Sequence, residues 1–271
     1  MTFAMTRRVT FSTGHRYWFD HLSAEENGRL FGPFASRFSH GHNYVLHVTV
    51  EGPIHPKSGM IVNIKDLDAV LKGGIVRQLD QKSLNDEVEP FATVAPTLEN
   101  LIRWIATRIV DLPPPCVLTK LRLEETPRLW ADLELRTMNL TLTRTYEFAA
   151  SHRLWSPHLT EEENLAAFGK CSNPMGHGHN YVLEVTVTGS PDPVTGMLVA
   201  LDDLDRAVNE LVVDRYDHRN LSEEIPELAD KVATSEEIVS AIFRQLDGKL
   251  PARLVHVRLW ETARNAFDVS I

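Results

Sequence analysis

The feature that most constrains the fold is an internal repeat with a period of 137 residues. Shifting the sequence by this amount places His15 on His152, and the motif "HGHNYVL" occurs once in each half. Near the end the shift slips by one residue, so that "LEET" in the first half matches "LWET" in the second. Solenoid repeats are only about 20–50 residues long. The period therefore predicts a duplicated domain, with copies at 1–136 and 137–271.

Both halves have the same order of predicted elements. The stretches "NYVLHVTVEG" and "NYVLEVTVTG" alternate apolar and polar residues, which is typical of strands. Apolar residues recur at helical spacing further along the first half, at Leu98, Leu101, Ile102, Ile105 and Ile109. The second half has a similar set at Leu201, Leu204, Val208, Leu211 and Val212. The order ββααββ predicts the α+β class, with antiparallel sheets and the helices on one face.

Each loop after the first strand contains the pattern of a helix capping box. Ser23 is followed by Glu26 in the first half, and Thr160 is followed by Glu163 in the second. In such a box the hydroxyl and the carboxylate each accept a hydrogen bond from the other residue's backbone N–H. A short helix is therefore expected in both loops.

Composition excludes several classes of partner. The formal net charge of -9 argues against nucleic acid or an anionic membrane as the main partner. No stretch approaches the ~20 apolar residues of a membrane span, and the start lacks the apolar core of a signal peptide. The two cysteines, Cys116 and Cys171, lie in unlike contexts, which favours a reducing compartment. We expect a cytoplasmic protein without nucleic-acid or membrane partners.

The repeated histidines are candidate metal ligands. His177 and His179 are two residues apart at the start of a strand, so both imidazoles project to one face. His152 ends the preceding strand and provides a third imidazole. Three neutral imidazoles with an open fourth position form the usual catalytic zinc arrangement. A His-x-His pair alone is commonly polar surface, but here the whole set recurs in the first half, as His15, His40 and His42.

Three residues of the second half are candidates for proton transfer. Cys171 lies in a Gly/Asn/Pro-containing loop before the HGH motif, where nearby metal and Lys170 would favour a thiolate base. A free cysteine is more commonly a small buried apolar residue. Asp217 precedes His218, and a carboxylate beside an imidazole fixes its tautomer. For each of these residues the sequence leaves both a proton-transfer role and a structural role open.

Other acidic residues are candidates for substrate binding. Glu261 ends a strand in "LWET", where a carboxylate accepts two parallel hydrogen bonds from a guanidine-like ring edge or is simply a surface acid. Thr234 and Glu236 are either part of the site or the N-cap and first turn of a helix.

The motifs "ASHRL", "EENLAAFGKCSNPMGHGHNY", "DPVTGML", "YDHRNL" and "LWET" resemble the 6-pyruvoyl-tetrahydropterin synthase family over residues 143–262. The first half resembles the same family more loosely, over about residues 8–126. Five residues separate Cys171 from the HGH motif, whereas the related 6-carboxytetrahydropterin synthases typically have a shorter interval. The second copy is thus most similar to the 6-pyruvoyl branch.

This resemblance implies the tunnelling fold, with sheets that close into a β-barrel by homo-oligomerisation and sites at subunit interfaces. A trimer of tandem chains is favoured. It further implies a zinc-dependent carbon–oxygen lyase acting on phosphates, which converts 7,8-dihydroneopterin triphosphate to 6-pyruvoyl-tetrahydropterin and triphosphate. Cys171 would be the base, Asp217 and His218 would complete the proton-transfer set, and Glu261 would anchor the pterin. The residues expected to bind zinc are His152, His177, His179, His15, His40 and His42. The residues expected to bind substrate are Glu261, Thr234, Glu236 and Glu125.

The first half departs from the family pattern at two positions. Phe34 stands where the second half has its cysteine, and Gln81 stands where it has the histidine after the aspartate. Neither side chain transfers protons near neutral pH. We expect the first half to be catalytically silent, as a pterin-binding or structural module. The alternatives for the whole chain are a 6-carboxytetrahydropterin synthase-type reaction and sepiapterin side-chain cleavage.

Overall fold

The computed structural model describes residues 1–271, and its contacts divide the chain into two compact units. The first unit consists of Met1–Leu142 and Thr188–Ala200, and the second of Thr143–Val187 and Leu201–Ile271. The segment Thr188–Ala200 belongs to the second sequence repeat but to the first unit by its contacts. The predicted boundary after residue 136 describes the sequence repeat, and it does not assign Thr188–Ala200 to the first unit.

The first unit is built on a five-stranded sheet. Its strands are β1 (Phe3–His15), β2 (His40–Gly52), β3 (Lys82–Ser83), β4 (Val117–Thr126) and β5 (Leu129–Glu134). They are ordered β5–β4–β2–β1–β3, and all neighbours are antiparallel except β3, which is parallel to β1. Its helices are α1 (Ala24–Phe31), α2 (Ile64–Leu71), α3 (Arg77–Leu79), α4 (Leu84–Glu87) and α5 (Leu98–Arg108).

The second unit repeats this order of elements, except that it has no α-helix in the place of α4. Its strands are β6 (Asn139–His152), β7 (His177–Thr188), β8 (Arg219–Asn220), β9 (Arg253–Thr262) and β10 (Asn265–Ser270). They are ordered β10–β9–β7–β6, and β8 pairs in parallel with β6. Its helices are α6 (Glu161–Phe168), α7 (Leu201–Val208), α8 (Asp214–Tyr216) and α9 (Ser235–Leu246). A π-helical turn, Asn209–Val213, interrupts the predicted helix between α7 and α8, and Lys72–Val76 does the same in the first unit.

The alternation in the strand sequences places one face of each sheet in the core. In β2 the side chains of Tyr44, Leu46, Val48 and Val50 are at most 1% exposed, while the residues between them are partly exposed. Helix α5 packs against β4 and β5, and α9 packs against β9 and β10. The predicted α+β class is confirmed. None of the helices combines the length and the apolar character that a bilayer crossing requires.

Both predicted capping boxes are present, and each fixes the start of the helix before a site loop. In α6 the backbone N–H of Glu163 donates to Thr160 Oγ1 at 3.2 Å, and that of Thr160 donates to the Glu163 carboxylate at 2.8 Å. The Ser23–Glu26 pair at α1 has the same two distances. The sequence therefore determined the position of these helices locally.

A buried asparagine ties α6 to the loop that precedes it. Asn164 is 0% exposed, and its Oδ1 accepts from Ser156 N at 2.7 Å. Its Nδ2 donates to the backbone oxygens of Ser156, Leu159 and Thr160, each at 3.0 Å. One buried side chain thus satisfies four polar groups of the loop backbone.

We expect Asn164→Ala to lower the free energy of unfolding by about 3 kcal/mol, because it removes four side-chain hydrogen bonds to the loop backbone and the packing of a fully buried side chain. The measurement is urea unfolding followed by circular dichroism. Leu165→Ala is the matched control on the same helix; its side chain is 54% exposed, and the expected change is within about 0.5 kcal/mol. Equal losses in the two variants would contradict the anchoring role of Asn164.

Candidate active site

The first predicted metal ligand is fixed by the backbone of the second unit. His152 ends β6 and is 1% exposed. Its Nδ1 lies 2.7 Å from the backbone oxygen of Ala233 and donates to it, which leaves Nε2 unprotonated. This Nε2 lies 3.2 Å from Nε2 of His177. A carbonyl that orients the ring in this way is typical of metal-binding histidines.

The two histidines that begin β7 complete the cluster. The ligand atoms of His152, His177 and His179 all lie within 4.8 Å of one another. His177 Nδ1 and His179 Nε2 are buried and have no hydrogen-bond partner. A buried ring nitrogen without a partner is costly, and a cation bound between the three imidazoles would remove that cost for His179. The donor set of three nitrogens fits zinc.

The first unit contains the same arrangement. His15 Nδ1 lies 3.0 Å from the backbone oxygen of Pro96, and His15 Nε2 lies 3.1 Å from Nε2 of His40. The ligand atoms of His15, His40 and His42 also lie within 4.8 Å of one another, and His42 Nε2 is buried without a partner. The structure thus brings together both predicted triads.

Burial favours the neutral form, which metals bind, in several of these imidazoles. Burial and, to a smaller extent, the charges of His40 and His42 lower the pKa of His15 from 6.5 to about 4. Burial likewise lowers the pKa of His152, His179 and His42. Neutral nitrogens do not have to release a proton before they coordinate a cation.

Glu261, at the end of β9, lies beside the second triad. Its Oε1 is 3.7 Å from His152 Nε2 and 3.9 Å from His179 Nε2. Ser235 Oγ donates to the same oxygen at 2.7 Å, which fixes the orientation of the carboxylate. The side chain is 17% exposed. Glu261 is therefore a half-enclosed, oriented acceptor next to the metal ligands.

Glu125 takes the corresponding position in the first unit. Its carboxylate lies 3.7 Å from His42 Nε2 and accepts from Tyr44 Oη at 3.3 Å. The hydroxyl that orients the carboxylate thus comes from a strand tyrosine rather than from a helix serine.

The Cys171 loop is held against the end of the strand that carries His152. Leu154 N donates to the Cys171 backbone oxygen at 2.9 Å, and Arg153 Nε donates to the backbone oxygen of Ser172 at 3.0 Å. Gly176 has a φ of +68°, and a Cβ at this position would lie 2.8 Å from the His152 oxygen. The loop can approach so closely only because glycine is here. Cys171 itself is half-buried.

Asp217 and His218 form a hydrogen-bonded pair at the edge of a cleft. Asp217 Oδ2 accepts from His218 Nδ1 at 2.8 Å, and its Oδ1 accepts from Ala149 N at 2.7 Å. These hydrogen bonds, with the Ala149 N–H as the largest contribution, lower the pKa of Asp217. His218 is 83% exposed and lines a cleft of about 630 Å³ with Ala149 and Glu224. The metal-ligand candidate His179 also lines this cleft, and Cys171 is not among its lining residues.

The two acidic residues at the helix starts differ strongly in burial. Thr234 and Thr97 are the N-caps of α9 and α5, as expected for helix starts. Glu236 is exposed, whereas Glu99 is 3% exposed and accepts from Leu198 N at 2.8 Å. Burial raises the pKa of Glu99 from 4.5 to about 7.

A family model described as 6-pyruvoyl tetrahydropterin synthase matches residues 4–136 and, a second time, residues 141–270. The chain belongs to the 6-pyruvoyl tetrahydropterin synthase family. Because the same model matches twice, both halves are members of this synthase family, and the predicted resemblance and tandem duplication are confirmed.

Individual relatives each correspond to about half of this chain. A curated 6-pyruvoyl tetrahydrobiopterin synthase of Homo sapiens is 44% identical over 131 residues, which are 48% of this chain and 90% of the relative. That of Poecilia reticulata is 46% identical over 125 residues, 46% of this chain and 85% of the relative. The solved Caenorhabditis elegans 6-pyruvoyl tetrahydropterin synthase has 38% identity and a TM-score of 0.47, and the match covers 49% of this chain and 96% of that one.

A relative with a different name is also similar to part of the chain. The Pyrococcus furiosus protein called dihydroneopterin monophosphate aldolase is 36% identical over 96 residues, 35% of this chain and 77% of the relative.

Sequence reasoning missed two residues of the site. Tyr181 is the next residue on the same strand face after His177 and His179, and its ring lies edge-on to that of His179 at 5.6 Å. Extending the period-two pattern by one step would have found it, as it would have found Tyr44 in the first unit. Ser235 had no such signal, because its contact with Glu261 joins residues 26 positions apart.

We expect Glu99→Gln to change how stability depends on pH. Between pH 4.5 and 7 the folded chain keeps a proton on Glu99 that the unfolded chain has released, so the free energy of unfolding falls as pH rises. Glu99→Gln should remove this part of the slope and preserve the hydrogen bond from Leu198. Urea unfolding from pH 4.5 to 8 measures it. Glu236→Gln is the exposed control, and an equal effect there would contradict the role of burial.

Proposed function

We propose that this chain is a zinc-dependent carbon–oxygen lyase that converts 7,8-dihydroneopterin triphosphate to 6-pyruvoyl-tetrahydropterin and releases triphosphate. The names of its curated relatives support pterin synthesis as the pathway. The observation that carries the proposal is the second-unit cluster, in which three histidines and Glu261 lie beside the strand end that holds the Cys171 loop.

The metal in this proposal is zinc, held by the two triads. Their unpartnered buried ring nitrogens and all-nitrogen donor sets support this assignment. Bound zinc would act as a Lewis acid on the hydroxyl groups of the pterin side chain and acidify the adjacent bonds. The remaining chemistry belongs to the residues of the chain.

Glu261 is proposed to recognise the pterin ring. The flat, guanidine-like edge of a pterin presents two N–H donors, and a carboxylate accepts them as a parallel pair. Ser235 holds the Glu261 carboxylate in one orientation, so the ring would bind with its side chain at a defined distance from the histidines. Thr234 and Glu236 lie at the start of the same helix that carries Ser235 and are proposed to contact the substrate there.

Cys171 is proposed to take a proton from the substrate side chain, and His218 to transfer a proton on the other side. Asp217 accepts from His218 Nδ1 and would stabilise the imidazolium form. Because His218 lines a cleft that excludes Cys171, we propose that the two groups meet between different copies of the chain.

Two equivalent segments of the repeats differ in burial, and this difference supports a homo-oligomer. In the first unit the stretch Thr195–Val199 is buried, and its Leu198 N–H reaches Glu99. The equivalent stretch of the first repeat, Ser58–Val62, is mostly exposed, as is the equivalent acid, Glu236. A second copy of the chain provides the matching partner for each surface. We favour a trimer of tandem chains whose sheets close into a β-barrel, located in the cytoplasm.

We expect Cys171→Ala to reduce triphosphate release at least 100-fold, a loss typical of removing a general base, while zinc content stays at the wild-type value. Malachite-green detection of phosphate after phosphatase treatment measures triphosphate release, and atomic absorption measures zinc content. Cys116→Ala is the control, because Cys116 donates to the Ile61 oxygen away from either triad. Persistent turnover in Cys171→Ala would disprove its role. Release of acetaldehyde by the wild type would instead support a 6-carboxytetrahydropterin synthase-type reaction.

We expect Met60→Asp to weaken the assembly, because a carboxylate would be buried in the contact proposed for Ser58–Val62. Met60 is 43% exposed in the isolated chain. Light scattering after size-exclusion chromatography should show a smaller mass than for the wild type at micromolar concentration. Met138→Asp is the control, because Met138 is 54% exposed in a turn outside that stretch. An unchanged mass for Met60→Asp would exclude this contact.

A further inference from the structure

The first-unit triad has a neighbour that the second-unit triad lacks. Two residues after His15 the chain has Tyr17, and two residues after His152 it has Leu154. Tyr17 is 6% exposed, whereas Leu154 is only partly buried. The same backbone position thus carries an aromatic ring in one repeat and a much smaller side chain in the other.

The ring of Tyr17 lies directly against the metal ligands. Its centroid is 5.0 Å from that of His15, in an edge-on arrangement. On another side it stacks on Phe31 at 5.7 Å. The ring therefore lies between the first histidine of the triad and Phe31.

The surroundings of Tyr17 hold it in this place. Tyr17, Phe19, Phe31, Ala95 and Met197 form one buried apolar cluster. Met197 is supplied by the segment Thr188–Ala200, which is itself fixed by the hydrogen bond from Leu198 N to Glu99 and by one from Asn100 Nδ2 to Thr195 O at 3.4 Å. Moving the ring outwards would disrupt this packing.

A ligand anchored by Glu125 would have to occupy the space between that carboxylate and the histidines. We propose that the first-repeat site binds a metal ion but is closed to pterins, because Tyr17 fills this space. The metal there is structural, and Tyr17 is the residue that sets the difference in ligand access between the repeats. The choice of a pterin as the excluded ligand rests on the proposed function; the closure itself does not.

The binding experiment uses zinc-loaded full-length protein and neopterin as the probe, with stoichiometry from isothermal titration calorimetry. The wild type is expected to bind two zinc ions and one neopterin per chain. The Glu261→Gln variant should bind no neopterin. The double variant Tyr17→Leu with Glu261→Gln should again bind one neopterin per chain. Tyr17→Phe combined with Glu261→Gln keeps the ring and should still bind none. One neopterin bound by Glu261→Gln alone would overturn the proposal.

Leu154→Tyr is the reciprocal change in the second repeat. It should abolish neopterin binding there and leave two zinc ions per chain, and retained binding would contradict the assigned role of the ring. Zinc content also shows that each variant has folded, since both triads require their native strands.

A ligand-independent measurement separates this inference from the proposed function. Transfer of zinc to the chelator 4-(2-pyridylazo)resorcinol should have two phases, with the first-repeat ion at least tenfold slower. Tyr17→Leu should accelerate the slow phase, and Tyr17→Phe should not. Two phases of zinc transfer together with no neopterin binding would disprove the pterin function but would still support the closure of the first-repeat site. A single phase unaffected by Tyr17→Leu would disprove the closure.

Discussion

The pairing of two antiparallel strands at their ends determines where the metal ligands lie. In the first unit the register of β1 and β2 places His15, the last residue of one strand, opposite His40, the first residue of the next. Directly opposed residues bring their side chains within about 5 Å, and the third histidine follows two residues later on the same face. A shift of one residue would turn the β2 ligands to the opposite face of the sheet. The apolar alternation of the strands that follow the HGH motif fixes this register, so the core and the metal ligands depend on the same pattern.

The parts of the structure that depend on local sequence were predictable. The strands, the capping boxes at Ser23 and Thr160, and the grouping of each histidine triad follow from spacing alone. The contacts that depend on distant residues were not. Nothing in the sequence indicates that Leu198 donates to Glu99, because the two lie in different repeats. For the same reason the burial of Glu99 required coordinates.

The two repeats show how one scaffold supports unequal sites. Both keep the carbonyl that orients the first histidine, Pro96 in one and Ala233 in the other. They differ in the residues that surround the ligands: Tyr17 against Leu154, and Phe34 against Cys171. The oriented histidine depends on the backbone and therefore persists, while the surrounding side chains can change without altering the strands. Differences in chemistry after duplication are thus concentrated in the loops.

The segment Thr188–Ala200 has a consequence for how the protein responds to dilution. Because it is covalently part of the chain, its contact with Glu99 forms intramolecularly, at an effective concentration set by the connecting strands rather than by the amount of protein. A contact of the same kind made between separate chains would weaken as the protein is diluted. Fusion of the two copies therefore makes one of the two surfaces independent of concentration, and in the proposed oligomer only the other surface depends on protein abundance.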